Sequence, residues 1–192
     1  MEITFRDAVT VIHGIGFGAL LLLAFSGAAA ALYALSTSST PWRPSGSDLI
    51  LLRAYFWGMA LLAWLAVLIG AYVVYPWYRA HPPAGAVDLS GFPKALLMST
   101  PATSQWHDIG MEWKEHLAWF SPISLTAVAW LMGRYATALK DMKSVRNVLV
   151  GLLALGFFAT AVPGFFGAML NKYAPVRGGA NIVLMRGEAH DK

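Results

Sequence analysis

The sequence predicts an all-α integral membrane protein: a four-transmembrane-helix bundle with a surface-lying connector between helices 2 and 3, and both termini on the same, outer side. Three observations predict it. Of 192 residues, 57% are hydrophobic and only 12% are charged, about half the charged share of a soluble domain. A soluble chain of this length has too little interior to hide that much apolar surface, so the excess must face lipid. Finally, the apolar residues collect into four runs near or above the ~20 residues that cross a hydrocarbon core, separated by stretches rich in Pro, Ser and charge.

The same composition excludes several classes. The length suits one domain, read as a single unit over residues 1–192. Absence of cysteine removes disulfides, thiolate metal sites, iron–sulfur clusters and covalent c-type haem. The net charge of +4 is spread out, with no basic, aromatic-interleaved run for nucleic acid. No phosphate-cradling glycine loop and no nucleophile elbow is present. The inner parts of the spans lack charge, which argues against an ion pathway through this chain alone.

Span one is expected over about residues 8–35. Met1 to Asp7 lacks the basic start of a signal peptide, so this span is taken as retained. Ser36 to Ser47 forms a polar, proline-broken loop. Asp48 is expected to N-cap span two, about 49–75, which Pro76 should stop. Trp77, Tyr78 and Arg79 follow as an interfacial belt, together with Trp42, Trp106 and Trp113. The connector, 76–110, holds Pro82, Pro83, Pro93 and Pro101 and a short apolar piece, Phe92 to Met98, expected along the membrane surface. Span three, about 111–135, carries Pro122 and an expected kink. Ser144 is expected to cap span four, about 145–170, and a polar tail, 171–192, ends the chain.

Arg43, Arg134, Lys140, Lys143 and Arg146 crowd two short loops against only Asp48 and Asp141. The other face balances its basic residues with acids over a longer stretch. Lys and Arg density therefore puts the short loops in the cytoplasm of a cell inner (plasma) membrane, with termini and connector outside.

On this topology all five histidines fall toward the outer side. His13 and His116 lie inside helices at similar depth, and two facing imidazoles are the usual way to hold a b-type haem without cysteine. Gly14, Gly16 and Gly18 thin span one beside His13, so a flat macrocycle, or simply another helix, could approach the backbone. Glu112, one turn before His116, would orient it. Arg79, Lys94, Lys114 and Arg177 could pair with propionates. The cofactor set is thus His13, His116, Glu112, Gly14, Gly18, Arg79 and Lys114, with haem b as the expected group and a quinone as a possible second. The competing reading makes the two histidines interfacial groups bonded to neighbouring helices.

A copper or non-haem iron site would draw on His107, Met111 and His116. On one helix, nine residues at 100° put His107 opposite His116, so they cannot share an ion unless Gly110 breaks the helix. His81, before two prolines, is expected to be exposed, and His190 carries no functional weight. Trp57, Trp64 and Trp119 lie deeper and suit either a quinone pocket or helix packing. Arg53 can snorkel to the inner surface.

The layout resembles, in architecture alone, the small four-helix membrane cytochrome b subunits. The functional expectation is a membrane subunit of a respiratory or photosynthetic electron-transfer complex. It would relay electrons between quinone and an external cytochrome or redox protein, and be at most a non-catalytic subunit of an oxidoreductase. Other membrane subunits would be its partners. Two alternatives stand beside it: a cofactor-free subunit anchoring a larger assembly, and a copper- or iron-handling accessory protein.

Overall fold

The computed structural model describes residues 2–37, 44–175 and 181–183. Trp42, Arg43, Arg177 and His190 lie outside the described residues. The chain is helical. Helix α1 (Phe5–Val11) passes through a π-helical stretch π1 (Ile12–Ala19) into α2 (Leu20–Ser36). Helix α3 (Gly46–Ile69) likewise passes through π2 (Gly70–Val74) into the short α4 (Tyr75–Tyr78). Then come α5 (Pro93–Met98), α6 (Pro101–Leu117), α7 (Phe120–Tyr135), a 3-10 turn (Ala136–Ala138) and α8 (Lys143–Tyr173). Among the described residues, the one addition to an all-α layout is a short antiparallel ladder of β1 (Glu2–Thr4) with β2 (Asn181–Val183), Ile3 opposite Ile182. Three continuous helical stretches, Phe5–Ser36, Gly46–Tyr78 and Lys143–Tyr173, are long and apolar enough to cross a membrane.

Local chemistry explains where the elements differ from the sequence expectations. Ser45, not Asp48, is the N-cap of α3; Asp48 sits at N3 and bonds back to the Ser45 amide at 3.1 Å in a capping box. Pro76 does not stop the second long helix. It enters at the first turn of α4, directly after π2, where the wide turn has already shifted the hydrogen-bond register and a missing N–H costs little. The third apolar run is two helices. Pro122 cannot donate to the Ala118 carbonyl, so the Ser121 amide takes it at 3.1 Å, and the chain breaks at Ala118 and Trp119 before α7 restarts. N-terminal to that break, α6 runs unbroken through Gly110 from Pro101, well inside the expected connector. Helix α8 starts at Lys143 without a side-chain cap, so Ser144 does not serve as one. The expected surface piece is α5, with Pro93 and Leu97 buried.

The core joins α2, α3, α7 and α8 through Leu21, Phe25, Phe56, Met59, Leu125, Val128, Met132 and Leu149. Helix α7 lies between α3 and α8 and buries most of one face. Its two buried hydroxyls are satisfied: Ser121 pairs with Thr160 of α8 at 2.7 Å and Ser124 donates to the Phe120 carbonyl at 2.6 Å. Trp64 of α3 donates to Thr126 at 3.1 Å. Such side-chain bonds join helices where lipid gives no hydrophobic drive for association. The outward faces stay apolar: Leu23, Leu51 and Phe158 are each more than 60% exposed, the inverse of a soluble bundle and the pattern of a lipid-facing surface.

Candidate functional site

The site begins at His13. The π turn around it widens span one, a geometry that often marks functional positions. The imidazole turns toward π2 of the neighbouring helix, where a Cβ on Gly70 would stand 2.8 Å from its Cε1 and 3.3 Å from its Nε2. Only glycine leaves that recess. The Ala66 carbonyl lies beside the ring. Nδ1 is buried and has no hydrogen-bond partner. A buried polar atom without a partner is costly, so it calls for an explanation.

Lys114 of α6 supplies the second group. A Cβ on Gly167 of α8 would come 2.7 Å from its Nζ, so this glycine too makes room for a polar side chain. The Lys114 charge bears on His13, and among the described residues the ammonium has no carboxylate partner. Helix α6 is held in place by Trp106, which packs on Phe165, Phe166 and Tyr173, and by Gly110, which sits against Phe166. His13, Gly70 and Gly167 each lie about 35 Å from the far end of their helix, Ser36, Gly46 or Lys143. That exceeds a hydrocarbon core of ~30 Å, so the group sits at the rim of the apolar layer.

Beyond the rim lies a polar pocket of about 350 Å³ between α4, α5 and α6, lined by Tyr75, Arg79, Lys94, His107, Met111 and Glu115 among others. Tyr78 shares a 2.7 Å hydrogen bond with His107 Nδ1, Tyr75 donates to Glu115, and Arg79 lies 5.3 Å over the Tyr75 ring. Burial, with the Lys94 charge behind it, holds the His107 imidazole below the ordinary histidine range. These contacts pin the connector to α6.

Of the sequence-predicted set, the structure brings His13 and Lys114 together and leaves His116 apart. The His116 side chain is 72% exposed, with Nδ1 at 2.9 Å from the Glu112 carbonyl and 3.5 Å from its carboxylate. Glu112 and His116 thus contact each other on an exposed flank of α6. His13 turns toward Gly70, while His116 is exposed and bonded within its own helix turn. Arg79 is engaged with Tyr75. Gly14 has open space beside it, and Gly16 and Gly18 meet only their own helix, so their flank is smooth and accessible. His107 and Met111 do share a face, but His107 is bonded to Tyr78 and Met111 is buried with Tyr78, Leu97 and Leu170. Among the described residues, no three His, Asp or Glu side chains are grouped to hold a metal ion. His81 is exposed, as is Arg53.

Sequence reasoning missed Gly70 and Gly167. A glycine inside a helix costs ~1 kcal/mol against alanine, but Gly58, Gly151 and Gly164 carry the same cost with nothing within 4 Å of an added Cβ, so residue type alone did not single these two out.

No protein family, no curated protein and no solved structure matches the chain.

Proposed function

We propose that the protein is a membrane subunit of a respiratory or photosynthetic electron-transfer complex that binds a quinol headgroup at the outer rim of the bilayer, between His13 and Lys114. The observation that carries the reading is the buried, unpartnered Nδ1 of His13 beside an ammonium with no described counter-ion. A neutral imidazole lone pair accepts a phenolic proton, and a nearby cation stabilises the phenolate that forms. The open glycine flank at Gly14 lets a flat ring reach the site from lipid.

On this reading, oxidation of one quinol releases two protons and two electrons. The first proton passes from the hydroxyl to His13 Nδ1, and the second leaves toward the outer aqueous face. The two electrons pass one at a time to a one-electron metal centre in a partner subunit, so this chain alone completes no turnover. The chain would cross the plasma membrane four times. Helix α7 with its 3-10 turn gives about 30 Å for the third crossing, and the basic short loops favour termini outside. The α5–α6 platform would then face an external cytochrome or redox protein.

The test is quinone retention by the purified complex, with titration by a short-chain quinol. Expected are stoichiometric retention and a loss of about tenfold or more in affinity for His13→Ala and Lys114→Gln, the scale of a charge-assisted hydrogen bond. Wild-type affinity in both variants overturns the reading. So does a reduced-minus-oxidised spectrum with b-type bands that vanish in His116→Ala, which would restore the His13–His116 haem.

A further inference from the structure

We infer that the groove between α2 and α8, at the opposite end of the molecule, binds one anionic phospholipid of the surrounding bilayer, its phosphate on Arg146 and one acyl chain along the apolar floor. The groove has a volume of about 660 Å³. Its floor is mostly apolar, with Phe25 and Ala29 from α2 and Ala154 and Phe158 from α8. The Ser26 hydroxyl midway along donates to the Leu23 carbonyl of its own helix at 2.7 Å, and Ser36, Arg146 and Asn147 meet at one end.

That end is under-satisfied. Among the described residues Arg146 makes one hydrogen bond, a long 3.5 Å contact from Nη1 to the Ser36 carbonyl, out of the five N–H donors a guanidinium carries. Among the described residues no carboxylate pairs with it. The Ser36 hydroxyl is buried with no partner among the described residues. A phosphate brings acceptors for both in the geometry that Arg favours.

Length matches as well. From Arg146 to Phe158 the groove wall runs about 18 Å, close to the ~15 Å half-thickness of a hydrocarbon core. That is the reach of a single leaflet's acyl chain. A partner's transmembrane helix would continue through the other leaflet and bring Arg146 no anion unless it carried a buried acid. The neighbouring Lys140 and Lys143 further favour an anionic headgroup.

The experiment reconstitutes the full chain in nanodiscs of equal parts phosphatidylglycerol and phosphatidylcholine, then counts lipid adducts by native mass spectrometry. We expect phosphatidylglycerol to be retained roughly tenfold over phosphatidylcholine. Arg146→Gln should bring the two to parity and Arg146→Lys should restore most of the preference. Ala154→Trp, which fills the floor, should lower retention of both lipids. If Ala154→Trp does not fold, the Gln and Lys variants decide alone. His13→Ala should leave retention unchanged, which separates this site from the quinol site. Equal retention of the two lipids by the wild type, an unaltered preference in Arg146→Gln, or crosslinking of residue 154 to a protein subunit in place of lipid overturns the proposal.

Discussion

The imidazole of His13 occupies the space that a side chain on Gly70 would need, its Cε1 lying 2.8 Å from where that Cβ would stand. Both residues belong to π-helical stretches, on adjacent helices at one level. A widened turn on one helix presents the ring, and a glycine on the other receives it. The fit holds the ring in place, with Nδ1 buried and without a hydrogen-bond partner among the described residues.

Gly70→Ala must therefore displace the ring. Overpacking of this kind costs about 1–3 kcal/mol, whereas Gly58→Ala, with nothing within 4 Å of its added methyl, should gain up to ~1 kcal/mol from helix propensity. Thermal unfolding in detergent compares the two. In the double variant with His13→Ala the Gly70 penalty should shrink, because the two residues are in contact.

Gly167→Ala meets the flexible end of Lys114, not its backbone, so the ammonium can swing away. Stability should change by less than about 1 kcal/mol, while affinity for a short-chain quinol falls about tenfold. Unfolding and quinol titration of the same sample separate these effects.

The Tyr78–His107 contact should make connector docking sensitive to acid. Burial holds the folded-state pKa of His107 below its unfolded value, so the unfolded state takes up the proton first as pH falls. The stability from the neutral ring is complete above about pH 6.5 and declines as pH drops below that value. Amide exchange across residues 80–98, read between pH 5 and 8, should speed up on the acid side, and His107→Gln should flatten the dependence.

His116→Ala should leave quinol affinity at the wild-type level, since that ring is exposed and bonded within its own helix turn. His13→Ala should lose about tenfold or more. Equal losses in the two variants would show that both histidines reach the ligand.

Much of the fold was legible in the residues. Apolar runs bounded by Pro, Ser and charge located the long helices to within a few residues, because hydrophobic length and helix termination are local properties. The proline effects were misplaced by a few residues, since the cost of a missing N–H depends on which carbonyl the turn leaves free. Pro122 breaks the chain at Ala118 and Trp119, and Pro76 is absorbed behind a π turn that no residue pattern announced.

The site was half legible. His13 was named from its type and depth and Lys114 as a cation for an anionic group near it, and the opposition of His107 and His116 followed from helical periodicity alone. Which of the inward candidates on α6 meets His13 depended on how that helix rotates against α8, and packing set the rotation: Trp106 on Phe165, Phe166 and Tyr173, and Gly110 against Phe166. That rotation turns Lys114 inward and His116 out. The sequence by itself determined a helical chain with lipid-facing apolar faces, because composition and period act locally. Only the tertiary structure decided that Gly70 and Gly167 hollow out the places where His13 and Lys114 come together, because a recess is made by the neighbour that fills it.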